Sequence, residues 1–205
     1  MNTEFEAALQ RSDNWMVVCA NVLDGVTFNT SVRNRIAAGL YHLCVEHHQG
    51  AHVLIGTGVR GAAFALYRPQ FEAYTRGQWY HYCATDSEIG RYVRGEEPPR
   101  IGKLASDLKQ VKERSGDVIW QVKQLAWGTM CAFTHGGAVQ VKARVFGNEI
   151  RQSFTDDHSG KLLDAMAVLS YLAALGIAAV AEDEGLAKQL YEQHQSIYSG
   201  VYRRI

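Results

Sequence analysis

Residues 165–181 read AMAVLSYLAALGIAAVA, a run with no charge between Asp164 and Glu182. A membrane-spanning helix needs about 20 strongly apolar residues. This run is shorter, rich in alanine, and carries Ser170 and Gly176. Small side chains let neighbouring helices approach closely, so the run reads as the central buried helix of an all-α protein, with a membrane span as the alternative. Working outward, Thr155 followed by Asp156 and Asp157 supplies a cap and two carboxylates suited to the positive end of a helix. A last helix is expected over about 184–199.

Towards the N-terminus the helical period continues. Phe5, Ala8, Leu9, Met16, Cys19, Ala20 and Leu23 fall on one face, and Thr3 with Glu6 fits a capping box. A second helix is expected from Thr30 or Ser31 to about Gly50, with Val32, Ile36, Leu40 and Leu43 inward. Residues 50–58, GAHVLIGTG, read as a loop or short extended piece. A third helix runs from about Val59 to Ala84, with a kink or break at Pro69, since proline lacks a backbone donor and clashes with the preceding turn. Thr85 and Glu88 form a second capping box, starting a short helix to about Arg94. After the turn GEEPPR a helix of about three turns is expected to stop at Ser115-Gly116. Asp117 then caps the next, whose stripe is Val118, Val122, Leu125, Ala126 and Thr129, with Trp120 and Trp127 one heptad apart. Residues 139–154 alternate apolar and polar around Gly147-Asn148, which fits either a small β-hairpin or a helix extension plus loop. The expectation is one domain over residues 1–205, an all-α antiparallel helical bundle of six to eight helices with a possible small hairpin near 139–154.

The 205 residues carry 21 basic and 21 acidic side chains and are 47% hydrophobic. That apolar content excludes disorder, and the charge balance disfavours indiscriminate nucleic-acid or membrane-surface binding. The balance is uneven along the chain. Residues 1–30 hold one basic and four acidic groups, residues 155–205 four and seven, and residues 31–154 sixteen and ten. A basic middle therefore lies between acidic ends. Cys19, Cys44, Cys83 and Cys131 are far apart among apolar residues and read as free, buried thiols. The charged start MNTEFEAALQRSD does not resemble a signal peptide, so a cytoplasmic, reducing location is expected.

Two stretches carry the candidate chemistry. In LYRPQFEAYTRGQWYHYCA, residues 66–84, Arg68, Glu72 and Arg76 are spaced i, i+4, i+8 and form a row that drifts by about 40° per step. A glutamate between two arginines is well paired, with guanidinium donors left over for an anion. The alternative is a salt-bridge ladder that locks the bundle. In MCAFTHGGAVQ, residues 130–140, His135 is the natural acid/base candidate, since histidine titrates near neutral pH. Gly136 and Gly137 either let a backbone or ligand approach it or simply cap the helix. Thr134 and Gln140 add hydrogen-bonding groups. His48 and His52 in EHHQGAH are four apart, as two metal ligands on one helix face would be. A solvated helix end is the alternative, and no metal site or cofactor is expected.

RPQFEAYTRGQW followed by FTHGGAVQ resembles an uncharacterised family of bacterial helical proteins with an Arg-Pro-x-Phe-Glu-x-x-x-Arg-Gly-x-Trp helix and a His-Gly-Gly-x-x-Gln motif. Such families are similar to the HEPN helical bundles, which include RNA-cleaving toxins and phage-defence effectors with a catalytic Arg and His. The resemblance implies Arg68, Glu72, Arg76 and His135 as the special positions, expected here to be catalytic; the residues themselves add His81, Thr134, Gly136, Gly137 and Gln140 as candidate ligand-binding groups. The HEPN signature, Arg and then His after four to six residues, occurs at Arg35–His42, Arg76–His81 and Arg151–His158, about as often as chance supplies. On a helix, five residues turn Arg76 and His81 about 140° apart. Two functions are expected as alternatives. One is a HEPN-like, metal-independent endoribonuclease of toxin or phage-defence type. The other is a non-catalytic sensor or interaction module binding a small anion or nucleotide at the same cluster. RNA or a small anion is the expected partner, no membrane is, and a homo-oligomer is anticipated from Tyr191, Tyr198 and Tyr202.

Overall fold

The computed structural model describes residues 3–111 and 116–202. Among them are α1 (Thr3–Leu23), α2 (Val32–Gly56), α3 (Arg60–Tyr82), α4 (Asp86–Val93), α5 (Ile101–Lys109), α6 (Gly116–Thr134), α7 (Ala138–Lys142), α8 (Asp156–Ala181) and α9 (Glu184–Tyr202). A two-stranded antiparallel hairpin, β1 (Val145–Phe146) with β2 (Glu149–Ile150), follows α7. The described residues thus form an all-α bundle of eight helices of at least two turns, with the one-turn α7 and a small hairpin. Residues 139–154 combine both expected forms: a short helix extension and a hairpin whose turn uses a left-handed Gly147.

Local capping fixes several of these starts. The Ser31 hydroxyl accepts from the Asn34 N–H, and the Thr155 hydroxyl from the His158 N–H. Thr85 and Glu88 form a full reciprocal box. The box read at Thr3 and Glu6 does not arise as such, because α1 already includes Thr3 and its cap position lies outside the described residues.

The crossing of α2, α3 and α8 organises the core. The Tyr41 ring of α2 is fully buried. It lies where a Cβ on Gly77 of α3 would come within 2.7 Å and one on Gly176 of α8 within 2.6 Å. Two glycines on two helices therefore form the slot for one aromatic ring. α1 packs on α8 and α9, while α5 and α6 pack on α3. Trp15 of α1 donates from its indole to the Ser170 hydroxyl of α8 at 3.0 Å, so the serine in the apolar run is a buried polar tie. α8 is long and apolar enough to cross a membrane by length and composition, yet 61% of its most apolar window is buried inside the fold.

Several expectations are corrected. α2 does not end near Gly50 but runs on to Gly56, and Ala51 and Ile55 enter the core. Gly50 faces Leu66 of α3 at 3.3 Å from a notional Cβ, so it marks a close helix approach and not a stop. Val32 and Leu43 are exposed; the inward face is Ala37, Leu40, Tyr41, Cys44 and Val45. On α6 the stripe is rotated: Val118 and Leu125 face solvent, while Ile119 and Met130 are buried. Gly116 starts α6 instead of ending α5, packed where a Cβ would meet the Leu108 carbonyl at 2.2 Å; Ser115 lies outside the described residues. Of the tail tyrosines offered for self-association, Tyr198 is fully buried and Tyr191 is exposed, and the Tyr202 side chain lies outside the described residues. Cys19 and Cys44 are buried, and Cys83 and Cys131 half-buried.

The histidine pair is not a solvated helix end. His48 is fully buried. Its Nε2 and the Nδ1 of half-buried His52 each lie 3.0 Å from the Ser12 hydroxyl. A hydroxyl donates once and accepts from the other side, so Ser12 links two imidazoles on α2 to α1. His194 of α9 stacks between Tyr171 and Tyr198, with ring centroids 4.0 and 4.7 Å away. Among the described residues no group of three His, Cys, Asp or Glu is arranged for a metal ion.

Two predictions follow from this core. Gly77→Ala and Gly176→Ala should each lower stability by about 1–3 kcal/mol by driving a methyl into the Tyr41 ring, measurable by chemical denaturation. Unchanged midpoints would remove the slot. Burial and the neighbouring His52 and His194 push His48 down to about 3, and burial pushes His194 down to about 4. Both lie below the ordinary 6.5, so the unfolded chain binds protons that the folded one refuses. Their contribution is present above pH 6.5 and fades as pH falls towards 4, by about 1.4 kcal/mol per pH unit for each histidine. Denaturation series at pH 7.5 and 5 should show this loss, reduced in His194→Phe. A flat profile over that range would contradict it.

Candidate functional site

α3 carries the first half of the site. It is assigned as one helix from Arg60 to Tyr82 with Pro69 inside it, so the expected break does not occur. Proline at 69 leaves the carbonyl of residue 65 without its usual amide donor. The Thr134 hydroxyl at the end of α6 approaches the Ala65 oxygen at 3.3 Å, while also lying 3.0 Å from its own Met130 carbonyl. Its single proton is shared between them. The carbonyl that proline orphans is thus served in part from another helix, which offsets some of the cost of Pro69.

The continuous helix keeps the polar row intact. Arg68 Nε donates to Glu72 Oε1 at 2.8 Å, and Arg76 Nη2 donates to Glu72 Oε2 at 2.7 Å. The side chains of Arg68, Glu72 and Arg76 are 20%, 15% and 33% exposed, so the row is partly buried and still open to solvent; it is no sealed ladder. Glu72 uses one oxygen per arginine, leaving donors unspent. The buried Nε of Arg76 has no partner among the described residues. Two guanidiniums around one carboxylate leave an excess positive charge.

α6 and the turn after it bring the second half. Arg68 Nη1 contacts His135 Nε2. An arginine only donates, so Nε2 is the accepting atom of this contact. The Arg68 guanidinium also lies over the Trp127 ring, 4.8 Å from its centroid, a favourable cation–π stack. Trp127 is the contributor that sequence reasoning missed as a site residue; its spacing of seven from Thr134 placed both on one α6 face.

The remaining residues of the second motif are structural. Gly136 takes the left-handed conformation with φ +67°, ending α6. A Cβ on Gly137 would stand 2.9 Å from Ala132. The double glycine is therefore the helix-cap alternative: one residue turns the chain, the other lets it pass close to α6. Gln140, expected as a ligand-binding group, is buried, and its amide donates to the Gly61 and Phe133 carbonyls at 2.9 and 2.8 Å. It sews the start of α3 to the end of α6. Arg144 binds back to Gln140 and occupies the space over Gly61. A shallow cavity of about 360 Å³ lined by Gly61, Ala65, Thr134, Gly136, Gln140 and Arg144 opens beside the row. His81 stacks on Tyr82 at 4.2 Å, five residues beyond Arg76 and turned away from it on the helix, so it is not gathered into the cluster.

The proline repair makes a coupling prediction. Thr134→Val should cost about 1 kcal/mol in the natural sequence. It should cost several tenths less beside Pro69→Ala, where an amide at position 69 can serve Ala65 itself. A double-mutant cycle with no coupling would contradict the shared bond. Within the second motif, Gly137→Ala and Gln140→Leu should lower the melting temperature and His135→Ala should not; a loss of equal size in all three would contradict this division.

A comparison with curated proteins returns no match, and a comparison with solved structures returns none either. Residues 41–203 match a family of unknown function, DUF6988. That span contains both motifs, the helix that carries the polar row and the turn that carries His135. The chain belongs to this DUF6988 family.

Proposed function

We propose that Arg68, Glu72, Arg76 and His135 form a recognition site for a phosphate-bearing ligand, a nucleotide or an RNA strand. Two partly exposed guanidiniums sharing the single carboxylate of Glu72 carry this reading. Guanidinium groups pair with phosphate oxygens through parallel N–H donors, and a carboxylate that fixes their planes lowers the cost of ordering them. Arg68 is held on three sides, by Glu72, His135 and Trp127, and serves as the rigid member. Arg76, the more exposed of the two, is the member that a ligand can reach.

The second reading is HEPN-like, metal-independent RNA cleavage of toxin or phage-defence type. The contact between His135 and Arg68 favours it, because it puts an acid/base group beside a cation that can stabilise a charged phosphorane. In that reaction His135 exchanges Arg68 for substrate and takes the proton of the ribose 2′-OH, or supplies one to the leaving oxygen. Arg76 then faces the developing charge, and Glu72 orients it. The non-catalytic alternative is a sensor in which the same site binds and His135 stays on Arg68.

The test uses purified protein with labelled RNA and DNA strands of one sequence. Arg76→Ala should weaken binding about tenfold or more, the scale of losing a charge-assisted hydrogen bond. Unaltered affinity would overturn the recognition site. Loss of RNA turnover in His135→Ala, with strand binding retained, supports cleavage. Equal turnover by both proteins, or none by either, overturns cleavage.

A further inference from the structure

A second polar groove lies away from this cluster, on the outer face of α2. Arg35, Gly39 and His42 are spaced i, i+4, i+7 and so share one helix face. All three are exposed. They line one cavity of about 350 Å³ whose other wall is Leu23, Val26 and Phe28, with Ile177 of α8 also lining it. Arg35–His42 is one of the three Arg–His spacings in the sequence. Both its side chains line one cavity, whereas Arg76–His81 splays around α3, and Arg151 stands outside a helix while His158 is in the first turn of α8.

The groove is built to stay open. A Cβ on Gly39 would meet nothing within 4 Å, so the glycine leaves a gap between the two polar side chains. The loop from Asp24 to Ser31 forms the far wall. It turns at Gly25, with φ +74°, and lays Val26 and Phe28 against the core. Arg35 makes no side-chain hydrogen bond or ion pair among the described residues, in contrast to Arg11, Arg33, Arg60 and Arg68. A second cavity of about 220 Å³ shares Leu23 and His42 and adds Asp24 and Gln49. The groove therefore has a cation at one end, an apolar aromatic wall along its length, an imidazole in the middle and a carboxylate beyond it.

That order of groups describes its ligand. The cation calls for an anion, and the Phe28 wall for a planar ring. Asp24 and Gln49 call for hydrogen-bond donors on the ring's far edge. Pockets of a few hundred Å³ fit small molecules. We infer that this groove is a second binding site, for a nucleoside monophosphate or a molecule of the same build. Arg35 holds the phosphate, the base lies over Gly39 against Phe28, and His42 bonds to the ribose or base.

The experiment is a calorimetric and NMR titration of the whole chain with adenosine monophosphate, adenosine and inorganic phosphate as separate probes. The expected result is that the nucleotide binds more tightly than either fragment and perturbs Gly39 and His42. Arg35→Ala should then weaken it about tenfold or more. Gly39→Leu, which fills the gap with a better helix former, should abolish binding with the fold intact. The titration is repeated in Arg76→Ala protein, which removes any share of the cluster on α3, and the shifts at Gly39 and His42 should saturate at the same nucleotide concentration in both. Absence of nucleotide binding, equal binding of phosphate alone, or binding indifferent to both Arg35→Ala and Gly39→Leu would each overturn the site.

Discussion

One buried ring sets the geometry of the bundle. Tyr41 lies in a slot that exists because Gly77 and Gly176 carry no side chain. The slot fixes how closely α2, α3 and α8 approach, and so the rotation of α3 about its axis. That rotation sends Phe71 and Tyr74 inward and leaves Arg68, Glu72 and Arg76 on a partly open face towards α6. Interiors pack at crystal-like density, so a displaced Tyr41 would be felt along the whole polar row. The glycine of the Arg-Gly-x-Trp segment thus serves the core, even though it sits directly beside a site residue.

The two motifs meet at a backbone defect. Pro69 withholds a donor, and Thr134 supplies one from another helix. The same approach delivers the next residue, His135, to Arg68. Gly136, Gly137 and Gln140 hold the turn in place by a left-handed cap, a close contact and two carbonyl bonds. Only the Arg–Glu–Arg row and His135 keep chemistry to spare. Much of what looks like a functional motif is scaffolding that sets one histidine against one arginine.

Two places with unspent positive charge matter within the neutral total. One is the α3 row, where a single carboxylate serves two arginines. The other is Arg35, at the head of a groove with an aromatic wall. Both lie in the basic middle of the chain. Several other arginines are consumed: Arg11 by Asp164, Arg60 by Asp156 and the Phe154 carbonyl, and Arg33 by the Tyr80 and Ala84 carbonyls.

The sequence by itself determined what depends on neighbours a few residues apart. Helical period, the caps at Ser31, Thr85 and Thr155, the Gly147 turn and the i, i+4 pairing of Arg68, Glu72 and Arg76 are all local, and the structure holds each of them. Tertiary structure decided the rest. Gly50 stays inside a helix because Leu66 packs on it, and Ser12 and His48 are core residues because each is the other's partner. α6 turns Ile119 inward instead of Val118, since residues one apart fit the same period. His135 and Arg68 are 67 residues apart in sequence. Spacing constrains which residues share a face of one helix; which faces meet is settled only by side-chain volumes at the crossings, and here above all by one tyrosine and two glycines.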